Sequence, residues 1–373
     1  SSTAPTPPAA ASETLAASAP APTGSPPPFF WDVEAAGTSP PPSSVPLDEI
    51  VEGGPPPDGI PPIDDPAYET IAEADEWLED REPVMVVEVA DAARAYPLRL
   101  LTYHEIVNDS LGGRPVLVTY CPLCNSGLVF NPVVDGRTLD FGTSGRLWRS
   151  NLVMYDRATH SLWSQFTGEA IVGTLLGTQL ERLPSAIVSW ETFKRQWPGA
   201  DVLSRDTGHS RPYGNNPYVG YDGGSPFLFD GDTGGPLPQM ARVVAVTRDA
   251  AAVAVPLDRL RDERVVAAEL DGQPLVVFWA PGTASALDTE KIAEGADVGA
   301  TGVFSPVVDG KTLRFTAAGD GFFVDDTTGS RWNLVGKAVA GPLDGERLAR
   351  IAHDDTFWFV QYAFRPDTRV EQS

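Results

Sequence analysis

Two stretches of this chain follow one pattern, and that self-similarity limits the fold more than any single motif. Pro97, Pro115 and Pro122 recur as Pro256, Pro274 and Pro281, each displaced by 159 positions (256 − 97). Asn131-Pro132-Val133-Val134-Asp135-Gly136 returns as Ser305-Pro306-Val307-Val308-Asp309-Gly310 after a 15-residue insertion in the second copy (174 − 159). Residues 84–173 and 243–341 therefore read as an internal duplication, a signal to be settled before local propensities are weighed. The duplication also serves as a control. Residues kept in both copies serve the fold, and chemically capable residues confined to one copy mark a site.

The repeated segments are β-rich. Residues 84–89, 115–120, 127–130, 138–141 and 152–155 are short runs of β-branched and aromatic residues bounded by Gly, Pro or Asp-Gly. Asp135-Gly136 and Asp309-Gly310 predict tight hairpins. One short helix is expected over 97–107, with Pro97 in its first turn and Leu98, Leu101 and Ile106 facing inward. Another is expected over 189–197, capped by Ser189 and stopped by Pro198. Counterparts stand at Val255-Pro256-Leu257 and at 354–359. The expected fold is mainly β (α+β by strict count), with a first repeat over 67–230, a degenerate second repeat over 231–373 and a few short helices. Residues 1–66 are rich in Pro, Ala, Ser and Thr, a composition that cannot bury a core and predicts a disordered tether. Phe29, Phe30, Trp31, Ile50 and Ile60 are anchors by which its later part straps onto the domain.

With 51 Asp and Glu against 27 Lys and Arg the formal charge is −24, and the cations form no cluster. That balance argues against nucleic acid or an anionic membrane surface as partner. No apolar run reaches the roughly 18 residues of a spanning helix. No charged segment leads into an apolar one, so a signal peptide is expected to be absent or removed. The spacer-like start and the acidity point to an extracytoplasmic protein, periplasmic or at the cell surface, either secreted or a lipoprotein anchored to the membrane through its tether.

Several motifs stand in order: Tyr96-Pro97-Leu98, Tyr103-His104-Glu105-Ile106-Val107-Asn108-Asp109, Tyr120-Cys121-Pro122-Leu123-Cys124, Phe141-Gly142-Thr143-Ser144-Gly145 and Asn151-Leu152-Val153-Met154-Tyr155-Asp156. Trp163-Ser164-Gln165-Phe166-Thr167-Gly168-Glu169-Ala170 and Leu203-Ser204-Arg205-Asp206-Thr207-Gly208 follow. Together they resemble the bacterial and archaeal family catalogued as domain of unknown function 3179, over about residues 80–365. The resemblance brings no activity with it and implies no mechanism. Asn125 stands where the family pattern has glycine after the second cysteine; Asn is the next best residue for a left-handed backbone, so the loop shape is expected to survive.

Cys121-Pro122-Leu123-Cys124 holds the only two cysteines, and it belongs to the first copy alone. His104 aligns with Glu263, Cys121 with Ala280, Cys124 with Thr283, Met154 with Phe323 and His160 with Gly329, whereas Pro122, Asp156 and Trp163 persist as Pro281, Asp325 and Trp332. The joint loss of thiol, imidazole and thioether groups nominates one soft-metal centre in the first repeat. Cys121, Cys124 and His104 are its expected ligands and Met154 its fourth, a set that suits copper first and zinc second. Trp148, Tyr120 and Tyr155 would keep water out. An oxidoreductase and a metal carrier both fit such a centre. Glu169, lost from the second copy together with Gln165, is a candidate orienting group or general base. Arg205 and Arg211, with three tyrosines of the irregular stretch 204–222, are candidates for gripping a small polar ligand from a lid; a plain connector between repeats is the alternative. His160 reads equally as a turn residue, Met154 as core, and His353 as a cap on the last helix.

Two other readings of the cysteines stay open. One is a dithiol–disulfide pair working with a redox partner. The strands expected after Cys124, where thioredoxins have a helix, argue against that particular fold. The other is a non-catalytic envelope scaffold with a structural disulfide, whose short loop would stabilise little. No phosphate loop, Gly-x-Ser-x-Gly elbow or His-Glu-x-x-His is present, and Asn125 stands where a c-type haem needs histidine.

Overall fold

Three sheets are built twice along the chain, in the same strand order each time. In the first repeat, Pro83–Val89 pairs with Ala92–Pro97, flanked by Ser185–Ser189 and by the parallel strand Asp201–Leu203. In the second, Arg242–Arg248 pairs with Ala251–Pro256, flanked by Asp354–Phe357 and the parallel strand Arg369–Val370. The antiparallel set Ile106–Leu111, Arg114–Cys121 and Ser126–Asn131 is answered by Val265–Leu270, Gln273–Ala280 and Ala300–Phe304. The third sheet, Phe141–Trp148, Asn151–Asp156, Leu162–Ser164 and Ala170–Val172, is answered by Phe315–Gly319, Phe322–Asp325, Arg331–Asn333 and Ala338–Ala340. This computed structural model describes residues 27–35, 37, 39–232 and 234–372. The first 26 residues of the expected tether lie outside the described residues.

Residues shared by both copies do the same structural work in each. Asp156 accepts the Thr159 N–H at 2.6 Å, the Thr159 hydroxyl at 2.8 Å and the Trp163 indole N–H at 3.0 Å. Asp325 accepts from Thr328 at 2.6 and 2.8 Å and from Trp332 at 2.9 Å. Each carboxylate is thus bound into one turn and one buried indole, which fixes the hairpin on the core. The Asp-Gly hairpins form as expected, with φ of 49° at both Asp135 and Asp309. One apolar core runs through both repeats, from Val84 and Trp190 to Phe278 and Trp332.

Several element boundaries differ from those expected. The helix expected to reach 107 spans Leu98–His104, because Glu105 turns left-handed at φ 59° and Ile106 opens a strand. The run 138–141 divides between a hairpin arm, Arg137–Thr138, and the strand Phe141–Trp148. The run 354–359 divides into the strand Asp354–Phe357 and the helix Trp358–Phe364. His353 therefore does not cap that helix; Phe357 occupies the cap, and the buried His353 ring bonds the Ile351 carbonyl at 3.2 Å. The helix Trp190–Gln196 carries its expected cap, with Ser189 accepting the Thr192 N–H at 3.2 Å.

Residues 39–66 are tied down. Ser43 bridges to Val172, Ile50–Glu52 adds an edge strand to Phe141–Trp148, and Ile63 bridges to Val107. This strap passes so close to Gly145 (φ 73°) that a Cβ there would lie 2.0 Å from the Pro55 carbonyl oxygen. Only glycine fits at that crossing.

Candidate functional site: a buried dithiol beside a pocket

The strand Arg114–Cys121 delivers Cys121 to a single 3-10 turn, Pro122–Cys124, closed by Asn125 at φ 50°. Pro122 presets the turn and Asn125 takes the left-handed position expected of it. The two sulfurs are 3.3 Å apart, buried and present as free thiols. They are not equivalent. Burial opposes ionisation of Cys121, but the Cys124 S–H and the backbone N–H groups of Leu152, Cys124 and Leu123 outweigh it and hold this thiol below its ordinary range. Cys124 is pushed well up, by burial first, then by its hydrogen bond with Cys121 and that sulfur's charge; the Ser150 carbonyl, at 3.5 Å, is the other acceptor for its S–H.

A polar network found in this repeat alone supports the pair. Asn151 Nδ2 points at Cys124 Sγ from 3.4 Å and at Gln165 Oε1 from 2.8 Å. Gln165 Nε2 donates to the Thr119 hydroxyl at 2.9 Å, and Asn151 Oδ1 accepts the Phe166 N–H at 3.0 Å. Within the polar run 163–170 it is thus Gln165, rather than Glu169, that serves the cysteines. Phe278, Phe323 and Leu334 occupy the positions of Thr119, Met154 and Gln165 in the second repeat, and Phe278 stacks on Phe323 at 4.0 Å. Packed rings there replace the network.

The second repeat nevertheless holds the cysteine loop from behind. Asn125 Nδ2 donates to the Asp355 carbonyl at 2.7 Å, the Ser126 hydroxyl to Asp354 at 2.6 Å, and the Thr356 hydroxyl to the Cys124 carbonyl at 2.9 Å.

Next to the pair lies a pocket of about 550 Å³; neither sulfur lines it, and Leu123 and Leu152 stand between. The strap (Gly53, Pro55, Ile60) forms one wall, Tyr218, Tyr221 and Phe227 another, and Glu105, Leu123 and Leu152 the floor. Leu123 and Leu152 are two of the residues whose N–H groups face Cys121 Sγ. Glu105 was not among the residues the sequence nominated. Its carboxyl is almost fully buried, and no group among the described residues hydrogen-bonds it. Burial, then the charge of Cys121, pushes it well above the usual carboxylate range, favouring the acid form. Burial, then the charges of Glu105 and Cys121, also raises Tyr218. One signal for Glu105 did exist: its counterpart is Arg264, at the same left-handed helix end (φ 67°), where the guanidinium lies over Trp279 at 4.3 Å. A carboxyl in one copy faces a cation in the other.

The remaining nominated residues lie elsewhere. His104 has both ring nitrogens engaged, Nδ1 with the Pro61 carbonyl at 2.7 Å and Nε2 with the Tyr213 hydroxyl at 2.5 Å. Burial lowers its pKa to about 4, against the opposing bond to Pro61, so the ring is neutral and fastens strap to loop. Met154 is buried in the core between Thr143 and Trp163. Among the described residues, no three His, Cys, Asp or Glu side chains converge as a metal donor set. Glu169 is half-exposed in a β-bridge to Gln179, where its carbonyl accepts the Ser164 N–H at 2.9 Å, and does not line the pocket. Arg205 is exposed and stacks on Trp77 at 4.9 Å, also away from the pocket. His160 occupies a left-handed turn (φ 53°) and stacks on Phe29 at 4.3 Å. The stretch 204–222 connects the repeats and contributes two of its three tyrosines to the pocket, but neither Arg205 nor Arg211. Asn216 and Gly220 donate to the Glu290 and Asp288 carbonyls of the second repeat, while Tyr218 and Tyr221 wall the pocket.

Fold and site together define a duplicated, mainly β protein with a single asymmetric dithiol, present in one repeat and braced by the other. The chain belongs to the family described as protein of unknown function (DUF3179), whose model matches residues 57–368 and so spans both repeats. No curated protein and no solved structure matches it.

Proposed function

We propose that this protein exchanges disulfides, with Cys121 as nucleophile and Cys124 as resolving thiol. The asymmetry of the pair carries the reading: one sulfur collects an S–H and three backbone N–H groups, and the other is held protonated beside it. Cys121 thiolate attacks one sulfur of a substrate disulfide, forms a mixed disulfide and expels a thiolate that takes the Glu105 proton. Glu105, now a carboxylate, removes the Cys124 proton. Cys124 then attacks the Cys121 sulfur, and the second leaving thiolate is protonated in its turn. Two electrons pass from the dithiol to the substrate, giving a Cys121–Cys124 disulfide and two substrate thiols. A thiol reductant restores the pair, and the reverse direction oxidises a dithiol substrate. The extracytoplasmic setting proposed from the Pro-rich first segment is one where such exchange has work to do.

Treating Cys124→Ser protein with an alkyl disulfide should trap an adduct on Cys121, read by peptide mass spectrometry, while the wild type closes its own disulfide. An adduct on Cys124, or none, would sink the reading. A copper or zinc centre instead predicts metal that purifies with the wild type and is lost in Cys121→Ser, which elemental analysis decides.

A further inference from the structure

We propose that the groove leading to Cys121 receives an extended polypeptide segment, with its cysteine or disulfide set among apolar residues and a basic residue at one flank. This rests on the disulfide-exchange reading and names its partner. Val51, Val219, Phe227 and Leu228 are four of the eight large apolar side chains exposed among the described residues, each 37–59% exposed. All four line one of two neighbouring cavities. Val219 and Phe227 line the thiol pocket; Val51 and Leu228 line an adjoining cavity of about 620 Å³. Phe227 and Leu228 are neighbours in sequence, as nearly are Val51 and Gly53, so the two cavities lie side by side along the same two segments. Exposed apolar groups gathered at one place mark a contact surface.

The shape of the site selects an extended occupant. Cys121 is only 1% exposed, beneath the floor that Leu123 and Leu152 form, beyond the reach of a convex folded surface. The strap also supplies a template. Ile50–Glu52 is the outermost strand of its sheet, paired on one side with Phe141–Trp148, and its other edge carries no strand among the described residues. Such an edge accepts an added strand. Charge selects the flank. Asp48, Glu49, Asp230 and Asp232 line the adjoining cavity, and its one lining cation, Arg149, is already engaged by Glu49 and the Ala363 carbonyl. A basic side chain there meets complementary charge, which sets partner choice and speeds encounter.

The test uses the full chain and fluorescent peptides of about ten residues, the length of a long strand, with serine in place of cysteine so that no exchange occurs. One peptide is apolar with a lysine flank, one apolar with a glutamate flank, and one built of Gly and Ser. By anisotropy the lysine peptide should bind about tenfold more tightly than the Gly/Ser peptide, and more tightly than the glutamate peptide. Phe227→Ser with Leu228→Ser should lose that advantage, and Asp230→Asn with Asp232→Asn should abolish the preference for lysine over glutamate. Equal binding of the three peptides, no binding, or indifference to the Phe227/Leu228 change would overturn the proposal. The two readings fail separately. Peptide binding without any thiol exchange in the cysteine forms refutes the chemistry and keeps the groove; exchange with a small alkyl disulfide but no peptide binding refutes the groove alone.

Discussion

Replacing Cys124 by alanine tests the origin of the Cys121 thiolate directly. Among the groups that favour ionisation of Cys121, the Cys124 S–H at 3.3 Å comes first, ahead of the N–H groups of Leu152, Cys124 and Leu123. A hydrogen bond to a charged acceptor contributes about 1.5–3 kcal/mol, and S–H is a weak donor, so the lower figure applies. At 1.36 kcal/mol per pKa unit, losing it should raise Cys121 by about one unit. Below the pKa the thiolate population then falls about tenfold. Cys124→Ser keeps a donor at the same place and should move Cys121 much less. The assay is ultraviolet thiolate absorbance followed against pH, which does not depend on a reagent reaching a buried sulfur. The wild type supplies the first ionisation, Cys124→Ala the shifted one, and Cys121→Ala a thiol that ionises only at high pH. The reasoning is refuted if Cys124→Ala leaves the first ionisation in place or lowers it, or if Cys121→Ala retains the easily ionised sulfur.

Three further outcomes follow from the same geometry. Glu105→Gln should fold as well as the wild type, since it removes a buried acid that has no protein partner. It should slow exchange with alkyl disulfides by about 10²–10⁴ while sparing disulfides whose leaving thiol is already acidic; equal slowing of both classes, measured by stopped flow, refutes the proton-donor role. Gln165→Leu installs the second repeat's own residue (Leu334) yet takes an acceptor from the buried Asn151 amide and a donor from the Thr119 hydroxyl, so urea unfolding should show a loss on the order of 1–3 kcal/mol, and a gain would disprove the network. Burial, with help from Asp354 and against the Thr301 bond and Arg242, lifts Asp355 from an ordinary 3.8 to about 7. Because the folded value lies above the unfolded one, the associated stability is full below about pH 4 and is lost as pH rises through 7, by up to about 4 kcal/mol. Asp355→Asn should therefore match the wild type at pH 4 and exceed it increasingly towards pH 8, and a gap that does not change with pH would contradict this.

The architecture was legible because it is written twice. Matched prolines and the Asp-Gly hairpins specify strand order, and the Asp156–Trp163 and Asp325–Trp332 turns show why those residues were kept. The cysteines were legible too, as chemistry present in one copy only. Their partners were not, and the reason is local. Glu105 ends its helix by a left-handed turn that no Gly or Pro announces, so a helical pattern continued to 107 misplaces the side chains at its end by about 100° per residue. The loss of thiol, imidazole and thioether groups from the second copy placed His104 with the sulfurs, whereas the structure ties it to Pro61 and Tyr213 and leaves Glu105, just past the helix end, at the pocket floor. Glu169 stands out by its loss from the second copy and Arg205 by its place in an irregular stretch without a counterpart there. Such absence does not tell a buried Gln165, bonded on both sides, from a half-exposed Glu169 away from the pocket.

The duplication also explains why a copy without the chemistry is still needed. Asn125, Ser126 and Cys124, the residues that close the cysteine turn, satisfy their side chains and carbonyl on Asp354, Asp355 and Thr356 of the other repeat. Burial raises Asp354 to about 6, against the bonds from Ser126 and Gly127, so this carboxyl is costly to place and is retained where it fixes the loop. Removing the second repeat would leave the Ser126 hydroxyl and the Asn125 amide without these acceptors beside a strained left-handed residue, and the geometry that separates the two thiols would relax. The second repeat filled its own site position with Phe278 and Phe323, which adds packing without any polar group to satisfy. One copy was thus free to become scaffold because the other's active loop leans on it.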